Sequence, residues 1–327
     1  MIKFLPLCVL FVVFIQHRTT AQALLPQITS SPLNYTSTNG TIYGTLETPQ
    51  IAGQTRMPVV LLIAGSGPTD RDGNNTMAGT NNSLKMLSEA LVKRGIAVLR
   101  YDKRGIAASA KAMVSESDLR FETYIDDALG FIRLLQTEGK YTSITVVGHS
   151  EGSLIGMIAA QKAGVQGFVS LAGAGFPAGQ ILRKQLGKQL PPTVMQECEK
   201  LLSELEAGKT TSTTPPMMLA SLFRPSVQPY MISWLRYDPR EEIKRLNCPA
   251  LILQGMTDIQ ISVEDAQSLA AANPKASMIL VNGMNHVLKA VSSDMKEQVA
   301  SYSNPMLPVV PALVDGIAKF VLELPKR

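Results

Sequence analysis

The stretch SITVVGHSEGSLIGMIAAQKAG, residues 143–164, decides how the rest of the chain is read. Ile144, Thr145, Val146 and Val147 form a β-branched run too short for a helix of its own, which predicts a buried strand. Apolar residues at Leu154, Ile155, Ile158 and Ala159 recur at helical spacing, so a helix follows. Between them stands Gly148-His149-Ser150-Glu151-Gly152, a G-x-S-x-G on a strand-to-helix turn. In that context a serine is presented as a nucleophile: small neighbours on both sides let the backbone turn tightly, and Oγ projects from the top of a sheet. The turn also sets Ser150 at a helix N-terminus, where unpaired N–H groups and the helix dipole favour developing negative charge. A Gly-rich turn with no chemistry is the plainer alternative, and the motif alone does not separate the two.

The histidines narrow the choice. There are three, His17, His149 and His286. His17 falls in a segment expected to be removed, and His149, next to Ser150 on a strained turn, is expected to point away from its hydroxyl. A base for Ser150 is therefore His286, in the loop Asn282-Gly283-Met284-Asn285-His286 beyond a predicted strand at 278–281. So few histidines argue against catalytic zinc, which usually draws on two or three. The acid expected to orient His286 is Asp258, in Met256-Thr257-Asp258 after a buried strand at 249–255. Glu264 and Asp265 are rivals, but they begin the next helix, where acids are favoured as caps. Two backbone donors would complete the site as an oxyanion hole. They are expected from Glu151, after the nucleophile, and from Ser66, in the loop Ala64-Gly65-Ser66-Gly67-Pro68 beyond a strand at 59–63. Such a set needs no cofactor and no metal.

Five segments run in order through nearly the whole chain beyond its first residues: IAGSGPTDRDGNN (63–75), YDKRG (101–105), GHSEG (148–152), GMTD (255–258) and GMNHVLK (283–289). On them the sequence resembles the serine-hydrolase branch of the α/β-hydrolase superfamily, specifically secreted or periplasmic bacterial esterase-like members akin to the serine aminopeptidase (S33-type) group. The resemblance implies a mostly parallel eight-stranded sheet with helices on both faces and a helical cap inserted after the sixth strand. It also implies the order nucleophile, acid, base that Ser150, Asp258 and His286 follow. One departure is visible. Similar proteins often read Gly-x-Gly-x-Ser after the arginine, where this chain has Gly105-Ile106-Ala107-Ala108-Ser109.

Residues 1–23 have the pattern of a signal peptide: Lys3 near the start, an apolar run at 4–15 and a small-x-small site at Ala21-Gln22-Ala23. The run is shorter than the roughly 20 residues that span a bilayer, so cleavage and no stable membrane span are expected. The protein is expected to be exported, periplasmic or extracellular, in an oxidising compartment. Cys198 and Cys248 then remain, in different predicted parts of the chain, and their pairing is left open. Removal of Lys3 and Arg18 takes the formal charge from +5 to +3. With no basic run, no nucleic-acid partner is expected.

The 304 residues after position 23 suffice for one large domain. A hairpin is predicted over 33–48 around Asn39-Gly40. Asp70-Arg71-Asp72-Gly73-Asn74-Asn75 has a superficial likeness to a calcium loop, but Asn81 holds the closing position, so a polar loop of local turns is predicted. A helix at 83–94, a strand at 96–100, a helix at 118–135 and a strand at 166–172 follow. Arg104 either braces loops or is a solvated charge. Residues 176–247 interrupt the rhythm and are expected to form the cap between core segments 24–175 and 248–327, with helical patterns at 179–190, 193–207 and 217–223. Met217, Met218, Leu222, Phe223, Tyr230 and Trp234 either line an acyl pocket or bury the cap against the body. An aminopeptidase would want acids there to hold a substrate ammonium. Glu197, Glu199, Glu204 and Glu206 are candidates, but with the spacing of a solvated face. The last two helices are predicted at 263–272 and 309–324. The expected partner is a small-molecule ester, with a peptide substrate as the alternative and a non-catalytic binding protein as the reading from another class.

Overall fold

The aliphatic runs become the inner strands of one sheet. The computed structural model describes residues 26–113 and 115–326, so the expected signal peptide at 1–23, with His17, lies outside the described residues. The strands are β1 (Gln27–Pro32), β2 (Gly44–Gln50), β3 (Met57–Ile63), β4 (Ala97–Tyr101), β5 (Tyr141–His149), β6 (Gly167–Leu171), β7 (Ala250–Gly255) and β8 (Ser277–Val281). Their spatial order is β1-β2-β4-β3-β5-β6-β7-β8. The β1–β2 and β2–β4 pairs are antiparallel and the rest parallel. Every residue of β4, β6 and β7 is buried, as a parallel sheet covered on both faces requires.

Side-chain alternation splits the core in two. Val59, Leu61 and Ile63 of β3 pack with α2 (Phe121–Thr137) and α3 (Glu151–Ala163), through Phe121, Ile125, Ile132 and Ile155. Val60 and Leu62 pack with Leu84, Leu87 and Leu91 of a helix at Ser83–Val92 and with Leu313 and Ile317 of one at Pro311–Glu323, on the other face. Register aligns the strand ends: Ile63 pairs with Gly148, Gly148 with Ser170, and Ser170 with Ile252. The loops after β3, β5, β7 and β8 therefore meet at one edge, beyond the carboxyl ends of the strands.

Three differences from the sequence expectation have physical causes. The hairpin forms between Tyr35–Ser37 and Gly40–Ile42, with Gly40 already in the second strand at φ 130°. Helix Met295–Ser301 stands between the two helices expected to be last; seven residues show no apolar stripe, and its one signal is Asp294, whose carboxylate accepts the N–H groups of Lys296 and Glu297. Helices Gln228–Leu235 and Pro239–Lys244 were also unpredicted, although each has a proline in its first turn and Asp238 caps the second.

Helices Ala178–Leu186, Pro192–Glu206, Ala220–Phe223 and Gln228–Leu235, inserted between β6 and β7, share an apolar cluster that includes Leu182, Cys198, Leu202, Phe223 and Met231. The segment expected as a cap ends differently: Pro239–Lys244 rests on the body, where Ile243 joins the core and the Glu242 carbonyl accepts from Gln161 Nε2 at 2.8 Å. Cys198 and Cys248 are free thiols.

Arg104 braces. Its guanidinium donates to both Asp127 oxygens (2.6 and 3.1 Å), to Ala112 O (2.8 Å) and to Ser37 Oγ (2.8 Å). Burial pulls the Asp127 carboxyl up in pKa against the pull of Arg104. Just beyond, Ala107 takes φ 44°, a left-handed conformation that favours glycine, at the position where similar sequences carry one. Arg104→Leu, which strands a buried carboxylate, is expected to cost about 3–5 kcal/mol in urea denaturation. Arg104→Leu with Asp127→Leu is expected to recover most of that; equal losses in the single and double variants would contradict the pairing.

Candidate active site

Ser150 ends β5 and begins α3 with φ 54° and ψ −122°, a backbone state that costs on the order of 1–3 kcal/mol and persists only when its surroundings impose it. Ser150 N–H donates to Leu171 O and Ser153 N–H to Ser150 O, both at 2.9 Å. The two motif glycines are steric necessities. A Cβ on Gly148 would lie 2.1 Å from Gly152 O, and one on Gly152 would lie 2.5 Å from Ile63 O and 2.6 Å from Ala64 O.

The loops after β7 and β8 meet beside this turn. His286 Nδ1 lies 2.8 Å from Asp258 Oδ2. Asp258 Oδ1 accepts the N–H groups of Gln260 (2.8 Å) and Ile261 (3.0 Å), which fixes the carboxylate. Burial pushes its pKa up, but His286 and these N–H groups outweigh burial and hold it below the usual carboxylate range. An ionised Asp258 puts the hydrogen of neutral His286 on Nδ1 and leaves Nε2 as an acceptor.

His149 has a task the sequence did not reveal. Its Nε2 lies 2.8 Å from the carbonyl oxygen of His286, and the ring centroids are 4.9 Å apart. A carbonyl only accepts, so Nε2 carries the hydrogen, and burial together with neighbouring His286 lowers the His149 pKa to about 3. A neutral His149 thus ties the His286 backbone to the residue preceding Ser150.

The loop after β3 passes against Ser150. A Cβ on Gly65 would lie 3.1 Å from Ser150 Cβ, so a side chain there would press on Ser150. Exposed Ser66 follows, its carbonyl accepting from Thr69 Oγ1 at 2.8 Å. Glu151 places its N–H in the unpaired first turn of α3, and its buried carboxylate accepts from Lys103 Nζ (3.1 Å) and Tyr230 OH (2.9 Å). Lys103 was legible only as a letter of YDKRG, and Tyr230 only as a candidate for apolar lining.

The rivals fall elsewhere. Asp265 Oδ2 accepts from Ser262 N (3.0 Å) and Oγ (2.8 Å) while Oδ1 accepts from Gly175 N (2.9 Å), and Glu264 is exposed. In the loop at 70–75, Asp70 Oδ1 accepts the N–H groups of Asp72 and Asn74, and Asn74 Oδ1 those of Asn81 and Asn82. Among the described residues no group of three or more His, Cys, Asp or Glu could hold a metal ion. Met217 and Met218, 94% and 58% exposed, neither line a pocket nor bury the insertion. Glu199 and Glu206 pair with Arg183 on the outside of the insertion.

Known proteins are similar to this chain in sequence and fold. The model of the family described as serine aminopeptidase, S33, matches residues 77–221. Est1E from Butyrivibrio proteoclasticus superposes with a TM-score of 0.58 at 15% identity, covering 89% of this chain and 98% of that one. The Pyrococcus furiosus esterase Pf2001 does so with a TM-score of 0.57 at 16% identity, covering 91% and 92%. The chain has the α/β-hydrolase fold. A curated relative, esterase EstD of Thermotoga maritima, is 25% identical over 275 residues, 83% of this chain. The chain spans 63% of that relative's length.

At the turn that carries Ser150, Gly152→Ala would press a methyl group onto two backbone carbonyls. It is expected to cost about 3 kcal/mol, the upper end of ordinary overpacking, and to lower Tm by roughly 6–12 °C in a domain of this size. A Tm within about 2 °C of wild type in a thermal melt would contradict the contact.

Proposed function

We propose that the chain is a serine hydrolase that cleaves carboxylic esters of small acyl groups through an acyl-enzyme on Ser150. The observation that carries the reading is the 2.8 Å bond from His286 Nδ1 to the buried Asp258 carboxylate, beside a serine held in a strained turn. In this reading His286 Nε2 takes the hydroxyl proton as Ser150 Oγ attacks the ester carbonyl, and Asp258 stays ionised and stabilises the imidazolium. The N–H groups of Ser66 and Glu151 receive the oxyanion, with the N-terminus of α3 behind Glu151 adding to the favourable field. Collapse expels the alcohol, protonated by His286. Water then attacks the acyl-enzyme, gives its proton to His286, and releases the acid and free Ser150.

The curated relative named as an esterase, EstD of Thermotoga maritima, supports the ester reading. Of the four acids that could hold a substrate ammonium, Glu199 and Glu206 are engaged by Arg183 and Glu197 is exposed to solvent. A short acyl group is favoured because the three aromatic candidates of the insertion are engaged elsewhere: Phe223 is buried within it, Tyr230 reaches Glu151, and the Trp234 ring lies 6.2 Å from that of Phe121, nearly parallel to it.

The test is hydrolysis of p-nitrophenyl esters from acetate to laurate alongside amino-acid p-nitroanilides, by wild type, Ser150→Ala and Asp258→Asn. The expected outcome is highest kcat/KM on the shortest esters, with kcat lowered roughly 10⁴-fold in Asp258→Asn and up to about 10⁶-fold in Ser150→Ala. Near-wild-type turnover by Ser150→Ala would sink the mechanism, and anilide cleavage exceeding ester cleavage would move the protein to the peptidases.

A further inference from the structure

The mechanism above gives no task to Lys103, a buried cation beside the site. Lys103, just past the end of β4, is 1% exposed. Its Nζ donates to the carbonyl oxygen of Gly65 and to Glu151 Oε1, and lies 5.0 Å from the centroid of the Tyr124 ring. The other oxygen of Glu151 accepts from Tyr230 OH, on helix Gln228–Leu235 of the insertion. Burial and the Glu151 carboxylate hold the Tyr230 hydroxyl well above its ordinary pKa, so it remains a donor.

Both acceptors of Lys103 belong to the oxyanion hole. The Gly65 carbonyl and the Ser66 N–H are opposite ends of one planar trans peptide, so an anchor on the oxygen sets the direction of the N–H. That peptide needs an anchor: it joins Gly65 to Ser66, and Gly65, with no Cβ, puts few steric limits of its own on how the peptide plane turns. Turned over, it would offer a carbonyl where the oxyanion forms. A cation on the oxygen also polarises the peptide and strengthens its N–H as a donor. Glu151, whose N–H is the second donor, carries a buried carboxylate that would oppose a forming oxyanion if left uncompensated. Lys103 compensates it, and Tyr230 reaches the same carboxylate from above.

We propose that Lys103 is a positioning residue that holds the Gly65–Ser66 peptide with its N–H turned toward the oxyanion and, through Glu151 and Tyr230, couples the oxyanion hole to the helical insertion. The inference rests on the serine-hydrolase reading and is tested so that the two can fail separately. Lys103→Met, Lys103→Met with Glu151→Gln, and Tyr230→Phe are compared with wild type. Active sites are titrated with a fluorophosphonate, kcat and KM are measured on the best ester, and Ki is measured for a trifluoromethyl ketone of the same acyl group, whose adduct places an oxyanion in the hole.

Lys103→Met is expected to leave KM within about threefold and to lower kcat roughly 10- to 100-fold, less than the roughly 10²–10³ lost with an oxyanion donor itself. The ketone Ki is expected to rise by the same factor. The double variant, which leaves no unpaired carboxylate and so guards against misfolding, is expected to keep the loss, and Tyr230→Phe to show a several-fold loss of the same kind. Recovery of wild-type kcat in the double variant would reduce Lys103 to a counter-ion and overturn the proposal. So would an unchanged ketone Ki, or a loss confined to KM. A Tyr230→Phe protein with lower Tm but wild-type kcat and Ki would overturn the coupling to the insertion. A wild type that takes no phosphonate would overturn the serine-hydrolase reading and this inference with it.

Discussion

The site depends on how closely the first turn of α3 is pressed into the sheet. At Gly148 and Gly152 the backbone of the turn and the carbonyl end of β3 approach until not even a methyl group fits. The only exit for the chain is through Ser150 in a left-handed conformation, which lifts its side chain above the strand ends. The rest of the arrangement is built around that projection. Gly65 is bare because a loop must pass against Ser150 Cβ, and β7 and β8 end level with β5 so that Asp258 and His286 arrive at the same edge.

A second feature is the run that ends β4. Arg100, Asp102, Lys103 and Arg104 are all buried, and each is paired with a different element. Arg100 holds Glu47 on β2, Asp102 holds Arg71 in the loop after β3, Lys103 holds Glu151 on α3, and Arg104 holds Asp127 on α2. Buried ion pairs add little net stability compared with apolar packing, but breaking one is costly, so they specify a unique arrangement more than they strengthen it. Four of them in five residues tie the loops of the site to the sheet at fixed positions. This gives the YDKRG motif a physical meaning that its letters do not carry.

Much of the fold was legible. The strands at 59–63, 96–100 and 249–255 and the helix at 263–272 lie where β-branched runs and apolar spacing placed them, because burial on both faces of the sheet leaves a strong signature in the sequence. The convergence of Ser150, Asp258 and His286 at one edge follows from motif order and strand register. What escaped was polar and long-range. His149 binding the His286 carbonyl, Lys103 holding Gly65, and Lys289, whose amine is buried against Met86 Sδ and Leu307 O with its pKa lowered by burial to about 8, join residues far apart in the chain. No local periodicity encodes such contacts. The short helices at 228–235, 239–244 and 295–301 escaped for a related reason: caps and first-turn prolines, not apolar stripes, define them.

The central claim is that Ser150 Oγ is the nucleophile, and the most direct measurement is the site of covalent capture. Wild type is treated with a fluorophosphonate and analysed by intact mass and peptide mapping, with Ser150→Ala in parallel. The account predicts a single adduct per chain, on the peptide that contains Ser150, and none in the variant. An adduct on another residue, or one that persists in Ser150→Ala, would contradict it.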